Sequence, residues 1–278
     1  MEKKLNAGRA VQLVILVLLG ITMLFPFIWM ISTSLKTFDQ IFTVTPTLIP
    51  RPLIWERYIN VWKDTHLLSG FKNSFLVAVP VIVVGTFTSS LAAYAFAKMK
   101  LPHSEGLFMA LLSTMMIPFA AVMIPQFVMF TRLHWTDTLL PLIIPGLFGN
   151  VGMIFFLRQF MAGIPDELFE AGKIDGCSSF ALFSKIMFPV IKPALAVQVL
   201  MWFMGLWNDF LGPVIYLNTP EKMTVQAVIG MLKSQFVSQT DMGLIMTASV
   251  IAVLPIIILF LIFQKYLVDT MVLTGIKG

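Results

Sequence analysis

One stretch, FEAGKIDGCSSFALFSKIMFPVIKP (Phe169 to Pro193), concentrates the residues that could do chemistry. Glu170, Lys173, Asp175, Lys185 and Lys192 fall there between two long apolar runs, in a chain that is only 12% charged. A carboxylate such as Glu170 can make a charge-assisted hydrogen bond to a basic group on another surface, a stronger class than a neutral pair. Its neighbours Ala171 and Gly172 have almost no side chain and let such a surface come close. Glycine within a helix costs about 1 kcal/mol relative to alanine, so Gly172 implies a packing gain. A plain amphipathic connector held by lipid headgroups is the competing reading, and local physics does not separate the two.

A second polar set follows. Gln198, Trp202, Gly205 and Asp209 recur at i, i+4, i+7 and i+11, with Asn208 beside Asp209. On a continuous helix they share one face, and polar groups within a membrane mark solute paths. Amide, carboxylate and indole together suit a sugar, which offers hydroxyls and a flat CH face. Alternatively, Asn208 and Asp209 only satisfy backbone groups freed near Pro213.

Bond-making chemistry has no footing. The chain lacks a G-x-x-x-x-G-K-[ST] phosphate loop, and PGLFGNVG (Pro145 to Gly152) has spaced glycines but no lysine after them. No Ser/His/Asp or paired-carboxylate arrangement suggests an enzyme. His66, His103 and His134 lack ligand spacing, so no metal site is expected. Cys177 is the only cysteine, which excludes an intrachain disulfide. No cofactor is expected on this chain. A net charge of +5 without a clustered basic patch argues against nucleic acid.

The elements that must hold these residues are membrane spans. Of the 278 residues, 58% are hydrophobic, whereas a soluble domain carries about 25% charged residues. Crossing a bilayer core by helix takes roughly 20 apolar residues. Six runs qualify: residues 10–31, 71–97, 107–130, 139–157, 194–217 and 244–263. Pro141, Pro145 and three glycines predict a bent or shortened fourth span. The first run is too long for a signal core and carries Phe25, Phe27 and Trp29 where small cleavage-site residues belong, so a retained span is expected. With the N-terminus inside, eleven Lys/Arg lie on the inner side and eight on the outer, the bias of the positive-inside rule. Both termini are therefore expected in the cytoplasm, as part of an all-α integral membrane protein.

Three regions result: 1–70, with the N-terminal tail, first span and long outer loop; a five-helix core, 71–265, including the inner loop 158–192; and a C-terminal tail, 266–278. In the outer loop, LIWERYINVW (Leu53 to Trp62) predicts a short interfacial helix, where Trp and Tyr are favoured. Thr86, Ser90, Ala93 and Ala97 form a small-residue face on span two, a mark of close helix packing. In the inner loop, Pro165, Asp166 and Glu167 suit a first helical turn, and Asp175-Gly176 its end. Ser178 or Ser179 then caps a second helix, with Phe180, Phe183 and Met187 on one apolar face. Pro189 and Pro193 are expected to interrupt it before span five. The loop reads as a helix–turn–helix hairpin against the membrane.

This hairpin resembles the cytoplasmic "EAA" loop in the membrane subunits of binding-protein-dependent ABC importers. Glu170-Ala171-Gly172 is followed by Lys173-Ile174-Asp175 and Gly176, then by Ile186 and Pro189 near the family's hydrophobic and proline positions. Gly172 and Cys177 replace the usual small alanines. FPFIWMISTSLKTFDQIF, NSFLVAVPVIVVGTFTSSLAAYAFAKMK, MMIPFAAVMIPQFVMF, WNDFLGPVIYL and the terminal TGIKG resemble the shorter six-span permease of carbohydrate importers of the maltose type. The resemblance implies a type I importer permease in a bacterial or archaeal cytoplasmic membrane. Its partners would be a second related permease, an ATPase dimer that holds ATP and Mg, an extracellular solute-binding protein, and a sugar. Glu170, Ala171, Gly172, Asp175 and Gly176 would form the ATPase-docking helix. Importers of other polar solutes (a polyol, glycerol phosphate, a peptide) share these features. A stand-alone secondary transporter would need ionisable groups within its spans, and only Asp209, towards one end, qualifies.

Overall fold

A computed structural model describes residues 7–234 and 241–275. Lys3, Lys4 and Lys277 of the charge count, and the end of the TGIKG segment, lie outside them. All regular structure among the described residues is helical.

The first span is α1 (Ala7–Ser34). The outer loop holds a single capped turn, α2 (Phe38–Ile41), and the expected short helix, α3 (Arg57–Asp64). Span two is α4 (Leu67–Lys98). Next come α5 (Ser104–Ser113), a tighter turn at Thr114–Met116, and α6 (Phe119–Arg132). Span four is α7 (Leu140–Leu147) with α8 (Val151–Ala162). The inner loop contains α9 (Glu167–Ile174) and α10 (Ser179–Leu182), which runs through a π-turn at Phe183–Met187 into α11 (Phe188–Trp207). Then follow α12 (Leu211–Tyr216), α13 (Val225–Ser234) and α14 (Met242–Gly275). Among the described residues, five helices are long and apolar enough to cross a bilayer, or six if α5 and α6 form one bent span.

Two of the six spans differ from the sequence expectation. The third is not straight: α5 and α6 meet at 94°. Pro118 has no N–H to continue the ladder and forces Ile117 into an extended conformation (ψ 113°). The fifth spans Ser179–Trp207 rather than 194–217. Pro189 does not interrupt it, because the wide π-turn just before it absorbs the misfit of a ring that cannot donate, and α11 also continues through Pro193. The second arm of the hairpin is thus the first turn of span five.

Two compact units emerge, one of Met1–Leu67 with Ile229–Leu254, the other of Leu68–Val228 with Pro255–Gly278. In the first, Arg57 pairs with Asp241 at 3.4 Å, and Asp241 accepts from Leu244 N at the start of α14. The second has its core where α4, α5, α8, α9 and α11 converge, around Ala93, Tyr94, Phe108, Leu157, Phe169, Leu182, Phe183 and Met187. The small-residue face of α4 packs as expected: Ser90 and Ala93 are fully buried and Ala97 abuts the core.

Candidate functional site: the α9 hairpin and a cleft between α6, α7 and α12

The α9 hairpin is built by local signals that the structure satisfies one by one. Gly176 takes a left-handed conformation (φ 76°). Around it Cys177 N donates to Gly172 O and Gly176 N to Lys173 O, both at 3.0 Å, the paired bonds that end a helix at glycine. Ser178 then caps α10, its Oγ accepting from Ala181 N at 3.2 Å. Asp166 precedes α9 but makes no cap with its side chain. Its carboxylate accepts from Lys98 Nζ at 2.5 Å, and the same ammonium donates to Ile164 O at 2.6 Å. The Lys98 hydrogen bond holds the Asp166 carboxyl below the ordinary range. The last turn of α4 therefore grips the entry to the hairpin.

The two faces of α9 differ. Phe169 is buried in the core, with Tyr94 at 6.3 Å between ring centroids and Lys98 Nζ 5.1 Å from its ring. Gly172 also points inward. A methyl group there would lie 2.5 Å from Leu182 Cδ2 and 3.0 Å from Ile186 Cδ1. Its lack of a side chain lets α9 lie directly on α10, so Gly172 serves packing within this chain rather than offering a surface to another. Glu167, Glu170, Ala171, Ile174, Asp175 and Gly176 are exposed, Ile174 by 87%. Phe180 does not join the apolar face of Phe183 and Met187, which are buried, but is itself 60% exposed.

The second polar set does not share one face. Helix α11 stops at Trp207, before Asp209. Asp209 Oδ1 accepts from Gly212 N at 3.1 Å, satisfying a backbone group at the start of α12. Exposed Asn208 accepts from Gln226 Nε2 at 3.2 Å. The half-buried Trp202 ring covers Gly85 of α4, at a spot a side chain would fill, so this indole packs helices together. Gln198 is half-buried, and Gly205 faces open space.

Sequence reasoning missed several residues. Phe169 and Tyr94 looked like ordinary apolar positions. Lys98 was legible as a basic residue in the last turn of α4, but its partner lies 68 positions away. A cleft of about 360 Å³ between α6, α7 and α12 was also missed, lined by Phe119, Gln126, Phe130, Leu142, Asp209 and Tyr216. Beside it Asp137, held at φ 56°, accepts from Asn218 N, Thr219 N, Thr219 Oγ1 and Lys222 Nζ at 2.7–3.0 Å. These donors hold the Asp137 carboxyl far below the ordinary range, the Lys222 bond most of all.

Several helices long and apolar enough to cross a bilayer, sharing a core with one face of the short helix α9, define a multi-span membrane protein. Residues 85–272 match the family described as "Binding-protein-dependent transport system inner membrane component", and the chain belongs to that family. It is 31% identical to the arabinooligosaccharides transport system permease protein AraQ of Bacillus subtilis, over 94% of this chain and 93% of that protein. It is 32% identical to the probable starch degradation products transport system permease protein AmyC of Thermoanaerobacterium thermosulfurigenes, over 96% and 98%. Its fold is also that of a chain in the crystal structure of a bacterial ABC transporter involved in the import of the acidic polysaccharide alginate. The TM-score there is 0.80 at 22% identity, covering 96% of this chain and 99% of that one.

Proposed function

We propose that the chain is the permease subunit of a carbohydrate ABC importer, forming half of a translocation pathway and coupling it to ATP hydrolysis on a separate subunit. One observation carries this reading: α9 buries Phe169 and Gly172 in the core shared by the spans, and leaves Glu170, Ala171 and Ile174 exposed. An exposed carboxylate beside an apolar tip suits a groove with a basic residue in its wall. Movement of that groove, as an ATPase dimer closes on ATP and Mg, passes to α4, α8 and α11 because α9 is packed against them. The spans then switch as rigid bodies between discrete packings. The carbohydrate assignment is supported by relatives named for arabinooligosaccharides, starch degradation products and lactose.

The partners in this reading are a second related permease, two ATPase subunits and an extracellular solute-binding protein. The chain itself is not an enzyme and needs no cofactor. The lysine and arginine bias supports cytoplasmic termini, in a bacterial or archaeal cytoplasmic membrane. The test is Glu170→Lys in the assembled importer. Uptake is expected to be lost while the protein still inserts in the membrane. Normal uptake with normal ATPase coupling in that variant refutes the docking role.

A further inference from the structure

Helix α6 (FAAVMIPQFVMFTR) is apolar from Phe119 to Phe130 with one exception, Gln126. Burying an amide among apolar groups is costly unless it is hydrogen-bonded, and Gln126 has no capping duty in the middle of a helix. It opens onto the α6–α7–α12 cleft, where its Oε1 accepts from Tyr216 OH at 3.2 Å. That bond leaves the amide N–H₂, two donors, uncommitted among the described residues. Asp209 faces the same cleft. Its carboxylate has about four lone-pair sites, and the backbone N–H groups of Gly212 and Leu211 occupy two of them. One exposed ring completes the lining, that of Phe119, while Phe130 and Tyr216 are buried edge to face with centroids 5.2 Å apart. The cleft holds about 360 Å³, within the roughly 300–1,000 Å³ typical of small-molecule sites.

Donors, acceptors and an exposed ring in one concavity match a polyhydroxylated ring, whose hydroxyls both donate and accept and whose CH face stacks on an aromatic. The charge discriminates further. A second carboxylate brought against half-buried Asp209 meets like-charge repulsion with little water to screen it.

We propose that this cleft is a solute subsite on this chain, that it takes one ring of a neutral saccharide, and that Asp209 selects against uronic acids. The inference rests on the carbohydrate reading above and deepens it by naming a site and a substrate class. Gln126 donates to a ring hydroxyl, Asp209 accepts from another, and the exposed Phe119 ring bears the CH face. The Asp137 staple fixes the loops on which Tyr216 and the start of α7 stand.

The experiment uses the whole importer in proteoliposomes, with maltotriose and arabinotriose as neutral probes and digalacturonate as the acidic one. Native complex is expected to take up a neutral probe and to discriminate against digalacturonate. Gln126→Ala is expected to lower kcat/KM for the neutral probe by about five-fold or more, the scale of one lost hydrogen bond. Asp209→Asn keeps an oxygen for Gly212 N, so the α12 turn holds, and is expected to relax discrimination against digalacturonate by about ten-fold. If both variants stay within about two-fold of native in uptake and selectivity, the scale of a merely peripheral contact, the subsite is overturned and the carbohydrate reading stands. If native complex takes up no saccharide, both fall together.

Discussion

Truncating Phe169 tests whether α9 is welded to the spans. Phe169 is 5% exposed and sits among Tyr94, Leu182 and Phe183. Phe→Ala in a packed core costs about 3–5 kcal/mol. Helix α9 has only eight residues, too few to be stable in isolation, so the loss falls on the docking of the hairpin rather than on the bundle. At 1.4 kcal/mol per decade, the low end raises hairpin opening by about a hundred-fold. Three amide bonds report it: Glu170 N to Asp166 O, Asp175 N to Ala171 O, and Cys177 N to Gly172 O, all at 3.0 Å. In Phe169→Ala their hydrogen-exchange protection is expected to fall by about a hundred-fold while α8 amides keep theirs. Phe169→Leu keeps much of the buried volume and is expected to cost about ten-fold or less. In the assembled importer, sugar moved per ATP falls in the same order. Protection unchanged within about three-fold at those three amides, or lost equally across α8 and α11, refutes the rigid lever.

Three further outcomes follow from the same geometry. Asp137→Ala removes the acceptor of four hydrogen bonds and is expected to destabilise the protein by about 2–3 kcal/mol, read as a lower unfolding temperature in detergent; Asp137→Asn tolerates the positive φ and should lose roughly half of that. Gly149 has φ 112°, and a methyl group there lies 3.0 Å from Ser89 Oγ, which accepts from Asn150 N. Gly149→Ala is therefore expected to cost about 1–3 kcal/mol at the joint between α7 and α8, by the same melting assay. Because Lys98 lowers the pKa of Asp166, the pair's contribution is fully present above the ordinary carboxylate value and is lost as pH falls through the depressed one. Hairpin exchange, corrected for intrinsic rates, is expected to be flat from about pH 7.5 to 5 and to loosen only in stronger acid, and Lys98→Met abolishes that acid step.

The apolar runs and charge scarcity determined that this chain is built of membrane helices, because lipid admits only helices and closed barrels and a barrel would show alternating rather than continuous apolar runs. Local chemistry also determined the hairpin: Gly176 ends α9 and Ser178 begins α10 through contacts within a few residues. The tertiary structure decided what those elements do to one another. Gly172 reads as an open docking surface in the sequence, yet it is the notch in which Leu182 sits, because which side of a short helix faces its neighbour depends on the turn that folds it back. The face drawn through Gln198, Trp202, Gly205 and Asp209 assumed a helix continuous through Asp209, but the helix ends at Trp207, a break that periodicity alone cannot see. Asp209 lines one cleft with Gln126, 83 positions earlier in the chain, and Lys98 meets Asp166, because packing distance is independent of sequence distance.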